Sequence, residues 1–280
     1  MHTTPVTRAT PGGLLFLLDH SASMLEGVGG SQRPKIQALE AAVNRCLNET
    51  LALCEKGEPE PYNYFDISLT SYTTDPKGTP IVRSAFGGGL AGREMANIPE
   101  INRHPLEVQT REKKVMGQVR PVKFKIWYKT PEASEMAGTP MCAAMEYIYR
   151  LAADWCASHR GSPAPVAIHI TDGESMDGDP EPAASALREL GTGDGNLLLF
   201  NCHVSSDPSE SVVFPASEAE LPNEYARKLF RMSSPLTPFM VGYVRSLDLP
   251  ITDGARGMVF NADSAKLILL MDTGTKIQLK

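Results

Sequence analysis

Two apolar runs that each end on an aspartate do most to limit what this chain can fold into. Gly12-Gly13-Leu14-Leu15-Phe16-Leu17-Leu18 stops at Asp19, and Val166-Ala167-Ile168-His169-Ile170-Thr171 stops at Asp172. Continuous apolar runs of this length suit parallel strands covered on both faces. Asn196 to Val204 (NLLLFNCHV) has the same character, while Tyr64 to Tyr72 and Gly257 to Asn261 read as further strands. Helical patterns lie between them. Pro34 to Cys54 sets Ile36, Leu39, Ala42, Val43, Cys46, Leu47 and Leu51 at helical spacing, with Pro34 suited to the first turn. Pro140 to Ala157, Pro182 to Leu190, Glu218 to Met232 and Ala262 to Leu270 are expected helices. Alternation of this kind predicts an α/β fold, doubly wound, with a mostly parallel central sheet flanked by helices.

Residues 79–130 break the rhythm. They hold Gly87-Gly88-Gly89, several prolines and two alternating pieces, Glu107 to Val119 and Val122 to Tyr128. In VKFKIWY, apolar residues alternate with lysines as in a half-exposed antiparallel strand. The expected organisation is one domain, 12–280, with a β-rich insertion at 79–130 and a flexible N-terminus at 1–11. Internal repeats and low-complexity tracts are absent from the sequence.

At 280 residues, 42% hydrophobic and 21% charged, the chain can bury a sizeable core. Its net charge of −6 disfavours nucleic-acid or anionic-membrane partners, which call for a basic face. No stretch approaches the roughly 18–20 apolar residues of a membrane span. Met1 to Pro11 lacks the apolar core of a signal peptide. The five cysteines (Cys46, Cys54, Cys142, Cys156, Cys202) are scattered singly, which suits a reducing compartment. A cytoplasmic location is the expectation.

The chemistry gathers in three short segments. Asp19-His20-Ser21-Ala22-Ser23 follows the first strand, Gly138-Thr139-Pro140 precedes a long helix, and Thr171-Asp172-Gly173-Glu174 follows another apolar strand. In an open parallel sheet, ligands bind beyond the carboxyl ends of the strands where the strand order reverses, so two strand-ending aspartates can meet there. Ser21 and Ser23, two apart in an extended loop, can point the same way. Carboxylates and hydroxyls without soft donors favour a hard cation such as Mg²⁺ or Mn²⁺, with Ca²⁺ ranked behind them. So few charged ligands leave the ion electrophilic, with positions open to an outside carboxylate.

Asp19-x-Ser21-x-Ser23, Thr139 and Asp172, in that order, resemble the metal-ion-dependent adhesion site of von Willebrand factor A domains. Met24 after the motif and the pair Asp172-Gly173 also fit. The resemblance spans Gly12 to about Leu270, apart from the insertion. It implies metal contacts through the hydroxyls of Ser21, Ser23 and Thr139, with Asp19 and Asp172 binding directly or through water. It also implies a binding module, not an enzyme: the metal grips a Glu or Asp carboxylate of a partner protein. Within that family the chain is similar to small bacterial cytoplasmic members linked with tellurium-resistance loci. That suggests a signalling or stress-response scaffold beside a kinase, phosphatase or ATPase.

Each residue also has a plainer reading. Asp19 can cap a turn, Ser21 and Ser23 can be loop hydroxyls, and Thr139-Pro140 is a good helix start by itself. His20 reads as a solvent-facing loop residue, His169 and His203 as satisfied core histidines, and the cysteines as buried small hydrophobes. Glu174, Asp177 and Asp179 read as a solvated acidic loop ahead of a second cation site. Lys113, Lys114, Lys123 and Lys125 read as an exposed face. Gly27 to Ser31 lacks the ending of a phosphate loop, and Gly191 to Gly195 precedes its strand, the wrong order for a dinucleotide fingerprint. The rival function is a metal-dependent phosphohydrolase with Asp19 as nucleophile, as in haloacid dehalogenase-type phosphatases. There a second aspartate follows two residues later, where this chain has Ser21. No GxSxG elbow supports serine chemistry. The regulatory subunit of an ATPase complex is a third reading with an identical site. RNA-particle binding is disfavoured by the acidic charge.

Overall fold

The computed structural model describes residues 2–115, 118–207 and 209–275, with the side chains of 113–115 and 118 left aside. Lys113 and Lys114 of the expected exposed face, and residues 276–280 of the expected domain, lie outside that description. Strand β1 (Gly12–Asp19) leads through a looped segment into helix α1 (Lys35–Cys54) and back to β2 (Phe65–Thr74). Next come β3 (Pro80–Ser84), β4 (Ala96–Asn97), α2 (Ile98–Arg103) and a hairpin of β5 (Glu107–Val115) and β6 (Gln118–Ile126). Then follow α3 (Met141–Ser158), β7 (Val166–Thr171), α4 (Glu181–Glu189) and a minimal hairpin of β8 (Gly191–Thr192) and β9 (Gly195–Asn196). The chain closes with β10 (Leu198–Val204), β11 (Val212–Val213), α5 (Glu224–Met232), α6 (Pro238–Ser246), β12 (Met258–Ala262) and α7 (Ser264–Thr275).

Eight strands form the main sheet in the order β11-β12-β10-β7-β1-β2-β3, with β4 also paired to β2. The central five are parallel, and β3, β4 and β11 are antiparallel edges. Period-two alternation on the strands splits the core into two layers. Leu14, Phe16, Leu18, Ile168 and Phe200 face α1, α6 and α7, whereas Leu15, Leu17, Ala167 and Leu199 face α3, α4 and α5. Every residue of β1, β7 and β10 is buried, as their unbroken apolar runs require. The approach of β12 to its neighbour tolerates no side chain at Gly257, where a Cβ would stand 2.1 Å from the Phe200 ring. The expected doubly wound α/β fold is present.

Several details depart from expectation. Within 79–130, β3 extends the main sheet, β4 pairs with β2, and α2 buries Ile98 and Ile101 in the core. Only the β5–β6 hairpin leaves the sheet; its strands of nine residues pair from Glu107↔Ile126 to Val115↔Gln118. The first alternating piece thus ends at Val115, and Val119 belongs to the returning strand. The N-terminal segment makes contacts with the body of the fold. Thr3 and Thr4 backbone amides donate to Asp194 Oδ1 at 2.8 and 2.9 Å, and Val6 is fully buried. The expected helix from Glu218 begins at Glu224, since Pro222 cannot continue a helix and the Asn223 side chain caps the new start. Among the described residues no helix is long and apolar enough to cross a membrane.

Candidate metal centre

Taken in chain order, the five parallel strands lie as 2-1-3-4-5, so the order reverses between β1 and β7. A crevice opens at such a switch point beyond the carboxyl ends of the strands. Asp19 is the last residue of β1, and Asp172 is the first after β7. The fold therefore brings two carboxylates 153 positions apart in the chain to one edge of the sheet.

Asp19 is fully buried and held at both oxygens. Ser21 N donates to Oδ1 at 2.7 Å, and the Thr171 hydroxyl donates to Oδ2 at 2.6 Å. Asp172 stands across from it with a side chain of zero exposure. Ser23 Oγ donates to Asp172 Oδ1 at 2.7 Å; Ser21 Oγ lies 3.2 Å from the same oxygen and 3.0 Å from Ser23 Oγ. The loop that presents the serines is clamped by Ala22 N donating to Ala137 O at 2.7 Å and by the buried Met24. Asp19, Ser21, Ser23 and Asp172 thus form one connected cluster.

Thr139 stands beside Gly173, ahead of α3. It is 5% exposed, and its Oγ1 would lie 3.8 Å from a Cβ placed on Gly173, the residue next to Asp172. Among the described residues that hydroxyl has no hydrogen-bond partner. Its backbone is fixed instead: Met176 N and Met141 N donate to Thr139 O at 3.0 and 2.9 Å. Gly138 beside it has no room for a side chain, since a Cβ would meet Thr74 Oγ1 at 2.9 Å.

The donor chemistry fits a hard cation. Burial and then the neighbouring Asp172 charge push the Asp19 carboxyl up to about 6. A hydroxyl that gives its hydrogen to a carboxylate keeps lone pairs for a metal. Every donor is oxygen, the preference of Mg²⁺ and Mn²⁺. Among the described residues no group of three or more His, Cys, Asp or Glu side chains is placed to hold a metal ion. A cation here would depend on the serine and threonine hydroxyls as much as on the two acids.

Two supporting residues were not singled out from the sequence. Thr171 orients Asp19, although it stands inside a segment that attracted notice for Asp172. Lys35, 3% exposed, places its Nζ 2.6 Å from Asp172 Oδ2. The contact is an ion pair, and Oδ2 has no hydrogen-bond partner among the described residues. Its signal was legible: Lys35, Leu39, Ala42 and Cys46 fall on one buried helical face.

His20 is not solvent-facing; it is 5% exposed, hydrogen-bonds Tyr128 Oη at 2.8 Å and is held down to about 4 by burial and then by Arg83. His169 and His203 are satisfied core residues, the first between Tyr72 and Asn201, the second accepting from Asn261 N at 3.2 Å. Asp177 caps α3, accepting from Cys142 N and Ala143 N at 2.9 Å each, and Asp179 pairs with Lys228 at 3.1 Å. That loop is tied to α3 and α5. Cys142 alone among the cysteines is only half-buried, and all five are free thiols. Gly29 N and Gly30 N donate to Ser205 O and Ser206 O, so those amides are not held for a phosphate.

Fold and cluster together define an open α/β protein with paired acids and hydroxyls at the switch point of its sheet. No protein-family model matches the chain, and no curated protein matches it. Among solved structures it is similar to proximal thread matrix protein 1 from the mussel byssus, at 12% identity and a TM-score of 0.38. That match covers 69% of this chain and 38% of the other. It is also similar to the pilus adhesin SpaC from Lactobacillus rhamnosus GG (9% identity, TM-score 0.42, 94% and 30% covered). A third is the manganese-loaded TRAP protein of Plasmodium vivax (12% identity, TM-score 0.34, 69% and 57% covered). The chain therefore spans between 30% and 57% of the length of these proteins. Likeness this loose adds nothing to what the strand order and the cluster themselves show.

Proposed function

We infer that this chain is a protein-interaction module of the von Willebrand factor A type, dependent on one divalent cation and gripping a partner's carboxylate. The observation that carries the reading is the convergence of Ser21 and Ser23 hydroxyls on one oxygen of Asp172, whose side chain is unexposed, beside buried Asp19. Ser21, Ser23 and Thr139 would hold the ion through their hydroxyls, while Asp19 and Asp172 orient them and balance its charge. Bound there, Mg²⁺ or Mn²⁺ would offer a coordination position to a Glu or Asp side chain from another protein. Exposed Leu25 and Met176 stand on loops bordering the cluster, where a partner's neighbouring residues would rest.

A binding role suits these residues better than catalysis. Asp19 has no exposed surface and both oxygens are engaged, so it is poorly placed to attack a phosphoryl group. A cytoplasmic setting in a bacterial signalling or stress-response system, beside a kinase, phosphatase or ATPase, extends the same proposal.

The test is calorimetric titration of Mg²⁺ and Mn²⁺ into chelator-treated protein, with Ser23→Ala and Thr139→Ala alongside. One ion per wild-type chain, and a loss of about tenfold or more in each variant, is the expected outcome. Wild-type protein that takes up no ion at millimolar concentration would sink the metal-dependent reading. A chelator-sensitive pull-down that Thr139→Ala abolishes would then establish the partner contact.

A further inference from the structure

Lys35 occupies a place that a stability argument does not explain. It is the first residue of α1, its side chain is 4% exposed, and its ammonium faces Asp172 Oδ2 at 2.6 Å. A second acid, Glu26, stands 3.4 Å away but is largely in solvent. Replacing a buried ion pair with apolar residues is commonly neutral or stabilising, so such a pair is weak evidence of a stability role. The partner decides the matter here: Asp172 also collects the Ser21 and Ser23 hydroxyls of the metal centre. The backbone fixes the lysine in front of it, because Lys35 N donates to Glu26 O at 2.8 Å and Gly27 bridges Pro34, closing the intervening loop.

We propose, resting on the metal-centre reading, that Lys35 is a tethered counter-cation that keeps the metal-free cradle assembled and weakens its hold on a divalent ion alone. Charge counting shows the consequence. Asp19 (−1), Asp172 (−1) and Lys35 (+1) sum to −1 without the ion and to +1 with it. A carboxylate from a partner then brings the centre to zero. Without Lys35 the loaded centre is already neutral, and an incoming carboxylate leaves it at −1. Lys35 thus shifts binding energy from the ion itself to the ion together with its ligand. It is a positioning residue: it touches Asp172 and needs no contact with the partner.

The test compares wild type with Lys35→Met, Lys35→Gln and the charge-retaining Lys35→Arg, using Mn²⁺ alone as the probe. A unit charge about 5 Å from a divalent ion changes affinity by about tenfold even at the dielectric constant of water. Lys35→Met and Lys35→Gln are therefore expected to bind Mn²⁺ at least about tenfold more tightly than wild type, with Lys35→Arg close to wild type. Metal-free Lys35→Met is expected to melt below wild type, and saturating Mn²⁺ to narrow that gap. A merely structural lysine gives the opposite, since loosening the cradle weakens metal binding. Wild-type binding with Lys35→Met and Lys35→Gln no tighter overturns this inference and leaves the metal centre standing. Binding by Lys35→Met but not by wild type supports the tethered cation and removes the metal from the native protein. No ion on any of them overturns both.

Discussion

Replacing Thr171 with valine tests whether the strand end itself aims the first acid of the centre. Thr171 is fully buried, and its hydroxyl donates to Asp19 Oδ2 at 2.6 Å while Ser21 N holds the other oxygen. Valine keeps the branched shape that suits β7 and removes only the hydroxyl, so packing and strand register should survive. A hydrogen bond to a charged acceptor contributes about 1.5–3 kcal/mol, and stranding a buried carboxylate oxygen puts this case near the upper end. About 3 kcal/mol, at about 2–4 °C per kcal/mol for a domain of this size, is a fall of about 6–12 °C in Tm. The Asp19 carboxyl, already pushed up to about 6 by burial and Asp172, should rise further, because the Thr171 hydrogen bond is among the contacts that lower it. Freed to turn, the carboxylate should cost the centre about 10–100-fold in Mg²⁺ affinity, the usual effect of losing a ligand's orienting partner. The assay is calorimetric melting in chelator followed by ion titration, with Thr171→Ser as the variant that restores the hydroxyl. Thr171→Val that melts within about 2 °C of wild type and binds Mg²⁺ equally well would refute the reasoning.

Two further outcomes follow from buried polar groups. Burial above all holds His20, His169 and His203 down to about 4 from the usual 6.5, so between those pH values the unfolded chain takes up three protons that the fold refuses. In the metal-free protein Asp19, raised from 3.8 to about 6, works the other way between those values. Near pH 5 the balance is 3 − 1 = 2 protons in favour of the unfolded chain, so stability should fall with acidification by about 2.7 kcal/mol per pH unit. Denaturant melts at pH 6.5 and pH 5 check this, and equal or greater stability at pH 5 contradicts it. Asn44 is 1% exposed and fastens the chain returning from the hairpin: its Oδ1 accepts from Trp127 N and Tyr128 N, and its Nδ2 donates to Tyr128 O at 2.7 Å. Asn44→Ala should cost about 3 kcal/mol and shift Trp127 emission to the red as that fully buried ring meets water; unchanged emission and stability would show that the latch carries no weight.

The parallel strands and the long helices were legible because each rests on local pattern: unbroken apolar runs for β1, β7 and β10, helical spacing for α1 and α3. The edges were not. β3 is five partly exposed residues beginning at Pro80, too short and too mixed to announce a place in the main sheet. α6 carries Gly242 in its middle and buries only Met240 and Val244, which leaves almost no periodic signal. In the candidate centre, the spacing of Asp19, Ser21 and Ser23 was visible because those residues are neighbours. His20 could not be placed, because its partner Tyr128 lies 108 residues on and belongs to the segment returning from the hairpin. Lys35 shares the buried face of α1 with Leu39 and Ala42, but the acid it pairs with lies 137 residues on, at the end of β7.

A quieter signal explains why the centre lies at this edge of the sheet. On the face shared by Leu17, Ala167 and Leu199, the next inward positions toward the carboxyl ends turn polar together: Asp19 on β1, His169 and Thr171 on β7, Asn201 and His203 on β10. Tyr72 on β2, register partner of Asp19, joins the row by donating to His169 Nε2 at 2.8 Å. His169 Nδ1 meets Asn201 Oδ1 at 2.9 Å, and Asn201 Nδ2 donates to Ser233 Oγ at 2.9 Å. Because the Asn201 amide donates to Ser233, its oxygen must accept, which puts the hydrogen of neutral His169 on Nδ1 and makes Nε2 the acceptor for Tyr72. Only one tautomer satisfies every member, so the row has a single arrangement and forms a stiff shelf beneath Asp19 and Thr171. An apolar shelf would support the sheet equally well, but it would offer no acceptor for the Tyr72 hydroxyl, which is fully buried beside Asp19. The polar letters at alternate places in VAIHIT and LLFNCHV are therefore one feature with the motif above them: the strands become polar where the fold must hold a buried acid still.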